Sequence, residues 1–209
     1  VFDVYVLTNL TGSILNFNST GQNNVAWNLY RPNTTTILHS FTTNSTGGYF
    51  LSIRNRTFDV EIKIPDYGHD IISYNAVIKT SDPIDIDNIY GADVNSTGGL
   101  SRSLIEGNRP LVGIGVVSNI TSNSVKIIMN YTKGLSAITF GEAAARLYKC
   151  SDYNYSSRNC FGTWERVDAS VDTIENTLNS TVTSFSAYLI TEYLCGNHLT
   201  DTEYGETES

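Results

Sequence analysis

Phe58-Asp59-Val60-Glu61-Ile62-Lys63-Ile64 alternates apolar and charged side chains without a break. Side chains on an extended chain point to opposite faces in turn, so this pattern predicts a strand with one face buried and the other wet. Working outward, 2–8, 25–30, 36–42 and 48–54 are short, rich in β-branched and aromatic residues, and bounded by turn formers. The pattern continues in 71–80. Turn signals stand at 18–21, 44–48, 65–68 and 95–98. Further along, 111–118, 124–131, 136–140, 143–149, 161–167, 171–174 and 182–192 also read as strands. Residues 142–146 allow one helical turn. Regular short strands without an amphipathic helix predict an all-β fold: one or two immunoglobulin-like β-sandwiches with antiparallel sheets.

The stretch 81–107 breaks the rhythm, with Asp82, Asp85, Asp87, Asp93 and Gly98-Gly99. The expected organisation is therefore a sandwich over 1–80, a crossing or linker segment over 81–107, and a second sandwich over 108–195. An acidic tail follows over 196–209.

Composition supports this reading and excludes other classes. Among 209 residues, Ser and Thr supply 46 and Asn 21, and only 16% are charged. Helical bundles are rich instead in Ala, Glu, Lys and Leu. The formal charge of −8 leaves no basic stripe for a phosphate backbone, so nucleic acid is not an expected partner. The longest wholly apolar run, 111–117, is far shorter than the ~20 residues of a membrane-spanning helix. The opening at Val1, without Met, reads as a mature or trimmed product.

Ten Asn-x-Ser/Thr sequons occur, at Asn9, Asn18, Asn33, Asn44, Asn55, Asn95, Asn119, Asn130, Asn154 and Asn179, where chance pairing in this composition predicts about 4.6. Such sites in surface loops mark N-glycosylation and a secreted, extracellular location. The same residues also favour turns for backbone reasons. Cysteine usage agrees with an oxidising compartment. Cys150 and Cys160 flank a polar, aromatic loop between two expected strands, a hairpin that can bring them to disulfide distance. Cys195 is left over, as a free thiol, an intermolecular link, or half of a bond to a chain not present.

Residues for chemistry are few. Asp66, His69 and Asp70 lie together in a turn, where a base or ligand role competes with ordinary turn preference. There is no Cys-x-x-Cys pair, and His39, His69 and His198 are scattered, so no zinc site is expected. No nucleophile elbow or phosphate loop occurs. Asp82, Asp85, Asp87, Asn88 and Asp93 offer oxygen ligands for calcium, but Ile84, Ile86 and Ile89 interrupt them and no EF-hand spacing is met. No catalytic residue and no cofactor besides N-linked glycan is expected. Tyr153, Tyr155, Phe161 and Trp164 around the cysteines suit either core packing or stacking on sugars.

Leu147-Tyr148-Lys149-Cys150, Cys160-Phe161-Gly162-Thr163-Trp164-Glu165 and Ser184-Phe185-Ser186-Ala187-Tyr188 follow one another in order. This series resembles a β-sandwich module of secreted archaeal cell-surface proteins, in which two paired cysteines bracket an aromatic loop before a core Trp. The resemblance carries Cys150 and Cys160 over as the pair and Trp164 as that Trp. Tyr153, where such modules often have Trp, and the extra Cys195 depart from the pattern. Residues 50–79 are more distantly similar to immunoglobulin-like sandwiches of the carboxypeptidase-regulatory type. Both resemblances imply a structural or adhesive surface protein, such as a subunit of an envelope layer or filament.

The N-terminal stretch is apolar on both faces, with Phe2, Val4 and Val6 on one and Tyr5 and Leu7 on the other. That suits a strand buried between sheets. It is either the first strand of its own domain or a strand donated to a neighbouring copy. The expected function is a non-catalytic, glycosylated extracellular structural protein that assembles with itself into a pilus-like filament or surface layer. The alternatives are a carbohydrate- or surface-binding adhesin module and a hydrolase with dispersed carboxylates.

Overall fold

A computed structural model describes residues 7–16, 19–78, 84–90, 108–118, 120–138, 141–157 and 159–193. Strands are numbered along the chain. The first sheet runs, in spatial order, β13 (Trp164–Val167), β10 (Ala145–Cys150), β16 (Ala187–Tyr193), β8 (Asn108–Ser118), β7 (Ile84–Tyr90), β1 (Leu7–Asn16) and β4 (Gly48–Arg54). The second runs β14 (Ser170–Asp172), β15 (Thr177–Val182), β9 (Ser124–Asn130), β6 (His69–Ile78), β5 (Arg56–Ile64), β2 (Ala26–Tyr30) and β3 (Ile37–Thr42). Neighbours are antiparallel except β1 and β7, which pair in parallel where Ile14 meets Ile86. A small hairpin, β11 (Tyr153–Asn154) with β12 (Asn159–Cys160), stands apart.

The two sheets pack as an all-β sandwich. On β5, Phe58, Val60, Ile62 and Ile64 are all buried in the core, as the alternation predicts. They meet Leu10, Ile14, Trp27, Ile53, Ile86, Ile114, Tyr131, Leu147 and Tyr188 in one continuous cluster. Each such side chain contributes roughly 1.5–3 kcal/mol on burial. Trp27 is fully buried; it stacks on Phe41 at 5.5 Å and meets Tyr49 of the opposite sheet at 4.5 Å.

The strands of 1–80 and those of 108–195 keep to opposite sides of β7 in the first sheet and meet at β6 and β9 in the second. Each sheet thus carries one contiguous group of strands from each part of the chain, and one core serves them all. Fourteen strands in two sheets compare with the seven to nine of a single immunoglobulin domain. Within the expected linker, 84–90 is β7, deep inside the first sheet between β8 and β1. Its isoleucines Ile84 and Ile86 turn into the core. Asp85 turns out, where its Oδ1 accepts from the Ser13 amide at 2.7 Å and hydroxyl at 2.9 Å. Acidic side chains satisfied by a neighbouring strand make this interior strand read like a surface segment.

Smaller differences have similar causes. Thr132–Ala137 is a 3-10 helix rather than the start of a strand over 136–140. The expected helical turn is present as a short 3-10 helix, Glu142–Ala144. β15 went unread because its sequon, Asn179-Ser180-Thr181, looks like a turn, although Leu178 and Val182 are buried. The acidic tail at 196–209 lies outside the described residues. Among the described residues, no helix is long and apolar enough to cross a membrane.

Candidate functional site

The disulfide hairpin is the most elaborated feature on the surface of the first sheet. Cys150 ends β10 and Cys160 ends β12, and the two are bonded with Cα atoms 5.8 Å apart. The Ser151 amide donates to the Thr163 carbonyl at 2.9 Å and the Phe161 amide to the Asp152 carbonyl at 2.8 Å, closing the loop. The disulfide packs with Ala187, Tyr153 and Trp164 in a cluster separate from the main core. Trp164 is thus half-buried against the disulfide, and the tryptophan of the main core is Trp27. Phe161 projects outward and is 67% exposed. Cys195 lies outside the described residues.

The turn residues Asp66, His69 and Asp70 do not converge. His69 and Asp70 are neighbours on β6, so the strand's alternation sends them to opposite faces. His69 is buried, and its Nδ1 accepts from the Asn130 amide at 3.1 Å. Burial, with a smaller contribution from the Lys133 charge, brings its pKa down to about 3. It is a neutral core histidine rather than a base exposed to substrate. Asp66 stays in the exposed turn.

Asp70 belongs to a network that sequence reading missed. It lies opposite Lys63 of β5 in the ladder. Two residues before Lys63, Glu61 accepts hydrogen bonds from Asn28 Nδ2 at 2.9 Å and Tyr30 Oη at 2.7 Å, and pairs with Lys63 at 3.0 Å. Burial pushes the Glu61 carboxyl up, but these donors outweigh it and hold the group below its ordinary value. Burial, then the Glu61 hydrogen bond, raises Tyr30 to about 12. Burial first, and the Glu61 charge second, push Asp70 up to about 6. Glu61 and Lys63 were visible as outward residues of the alternating stretch, but the partner strands that bring Asn28, Tyr30 and Asp70 beside them were not. The glutamate's oxygens are engaged by groups of its own sheet.

Of the residues that offer oxygen ligands for calcium, Asp82 and Asp93 lie outside the described residues, Asp85 is held by Ser13, and Asp87 and Asn88 are fully buried. Among the described residues no group of three or more His, Cys, Asp or Glu side chains is placed to hold a metal ion. A cleft of about 280 Å³ opens between β10 and β13 on one side and β14 and β15 on the other, with Arg146, Arg166 and Asp168 at its walls. Arg146 is turned onto the carbonyls of Ala143 and Ala145, each at 2.7 Å.

The sequons separate into two groups. Asn9, Asn33, Asn44, Asn55 and Asn154 are exposed, the last four in turns or the hairpin. Asn130 and Asn179 are half-buried, with Nδ2 donating to the Glu175 carbonyl at 3.0 Å and to Thr177 Oγ1 at 3.4 Å respectively. Asn18, Asn95 and Asn119 lie outside the described residues, as do Phe2, Val4, Tyr5 and Val6 of the expected assembly strand. Leu7 opens β1 opposite Arg54 and is 64% exposed.

No family model, curated protein or solved structure matches this chain.

Proposed function

We propose that this chain is a non-catalytic, N-glycosylated structural protein of the cell exterior that assembles with copies of itself into a filament or surface layer. The observation that carries the reading is where β4 ends. β4 ends at Arg54, opposite Leu7, and the chain turns at Asn55 into the other sheet. Among the described residues, the β1–β4 ladder ends at Leu7 and Arg54. The preceding Phe2, Val4, Tyr5 and Val6 are apolar on both faces, and a neighbouring copy is a natural acceptor for such a strand. Strand addition supplies backbone hydrogen bonds and pockets for alternate side chains.

The sequon density, the disulfide and the all-β sandwich all suit an oxidising exterior. The Glu61 network suits a sheet surface built for rigidity rather than turnover. Negative-stain electron microscopy of purified glycoprotein tests the reading. Regular linear or planar polymers are expected; particles of single-subunit size at all concentrations overturn it.

The exposed Phe161, next in the chain to Cys160 of the disulfide, favours a second reading, an adhesin module that stacks aromatic rings on sugars. Binding to a glycan array that is lost in Phe161→Ala, without polymerisation, supports that alternative.

A further inference from the structure

Among the described residues, four strands stand at the sheet edges, and the two pairs differ in how they are guarded. An edge strand presents unpaired N–H and C=O groups, a template for another chain's strand. On one side stand β13, four residues long with Glu165 and Arg166, and β14, three residues long with Asp172. Shortness and charge are common protections of an edge. On the other side stand β3 and β4, which face each other across the Trp27–Phe41–Tyr49 stack. These are longer, at six and seven residues, and contain no proline. Arg54, the last residue of β4, is the one Lys, Arg, Asp or Glu in either. Ile37 is 51% exposed and Phe50 is 65% exposed. β3 has one register irregularity against β2, and β4 runs in unbroken register with β1.

What these edges carry instead is sequons, placed at their ends. Asn33 lies in the turn before β3, Asn44 in the turn joining β3 to β4, and Asn55 in the turn after β4. Each edge strand is thus bracketed at both ends, and all three asparagines are exposed. Asn9 adds a fourth on β1, exposed and opposite Ser52 of β4. At Asn44 the side-chain oxygen accepts from the Thr46 amide at 3.0 Å, the Thr46 hydroxyl at 2.8 Å and the Gly48 amide at 3.0 Å. All three bonds fall on oxygen, not on the nitrogen that a sugar would occupy.

We propose that N-linked glycans at Asn9, Asn33, Asn44 and Asn55 guard the β3 and β4 edges, closing them to strand addition by another chain. At each site Nδ2 bonds to C1 of the sugar on a lipid-linked oligosaccharide donor. The bond from C1 to the donor's phosphate oxygen breaks, the lipid phosphate leaves with the electron pair, and the amide proton passes to solvent. The bulky, hydrated sugar then does for this side what charge and shortness do for the other. Sideways association through β3 and β4 is blocked. The inference rests on the glycosylation part of the proposed function.

The test uses the full chain made in a glycosylating host, with Val4→Asp and Val6→Asp throughout so that strand donation is out of play. One variant changes Asn9, Asn33, Asn44 and Asn55 to Gln; a control changes Asn154 and Asn179. The four-site variant is expected to lose monodispersity in light scattering at concentrations where parent and control keep it. Amides of 48–54 should gain hydrogen-exchange protection, and adding Phe50→Lys should restore dispersion. If the four-site chain does not fold, single changes at Asn33, Asn44 and Asn55 are read in the same way. Glycopeptide mapping that finds the four sites bare overturns both this role and the glycosylation reading. Glycosylated sites whose loss leaves the folded protein as dispersed as its parent overturn the guarding role alone.

Discussion

Tyr153 sits on Gly115: a Cβ at Gly115 would come within 2.5 Å of the Tyr153 ring. Gly115 pairs with Asp87 on one side and Ala187 on the other, in the middle of the first sheet. The small Gly115–Ala187 pair makes the seat on which the disulfide hairpin rests. Gly115→Ala should destabilise the fold by about 1–3 kcal/mol, the usual cost of overpacking, measured by urea unfolding. In a Tyr153→Ala background the same change should cost much less. Equal costs in both backgrounds would show that the hairpin does not seat there.

The disulfide itself is the second test. Non-reducing peptide mapping should recover Cys150 joined to Cys160. Cys150→Ser should lower stability by roughly 2–5 kcal/mol, as for other native disulfides. A peptide joining either cysteine to Cys195 contradicts the assignment.

His69 and Asp70 should oppose each other in acid. Unfolded, His69 takes a proton near 6.5; folded, only near 3. Between those values the unfolded state holds the extra proton, so stability is lost as pH falls. Asp70 titrates at about 6 folded against 3.8 unfolded. The folded state holds the extra proton in that window, so stability is lost as pH rises through it. Asp70→Asn should therefore gain stability relative to the parent at pH 7 more than at pH 4, and His69→Phe should flatten the acid limb. Urea midpoints at both pH values decide this; an Asp70→Asn effect independent of pH contradicts it.

Sequon occupancy should follow side-chain freedom. Glycopeptide mapping should find Asn33, Asn44 and Asn55 more fully occupied than Asn130 and Asn179, whose Nδ2 atoms are engaged by the protein. Intact mass should exceed the bare 23.0 kDa. The reverse order of occupancy contradicts it.

The strand content was legible because one-sided burial writes itself as alternation, as in 58–64, and because loop length and cysteine spacing make the hairpin at 150–160 a local event. What was hidden is long-range. β7 looked like a linker because Asp85 and Asp87 face away from the core, and only the register with β1 and β8 shows where they go. β16 is buried on both faces, so Ala187 to Tyr193 shows no alternation that marks its place in the centre of the sheet. Its Thr191 finds Asn108 at 2.9 Å, 83 residues away in the chain. The Glu61 network was illegible for the same reason: Asn28, Tyr30 and Asp70 come from strands whose order in the sheet the sequence does not state. His69 and Asp66 looked like partners because they are close along the chain, and the strand that begins at His69 parts them.

The most direct test is mixing. Full-length protein carrying Val4→Asp and Val6→Asp should fold, with an intact disulfide and a cooperative melt, yet remain monomeric by light scattering. A synthetic peptide of residues 1–8 should bind it, because the acceptor sheet is unchanged. Strand donation predicts that folded monomer, and wild-type polymers of the same subunit under electron microscopy. If the double variant instead unfolds while dilute wild-type protein stays a stable monomer, the first strand belongs to its own sandwich and the chain does not assemble by donating it.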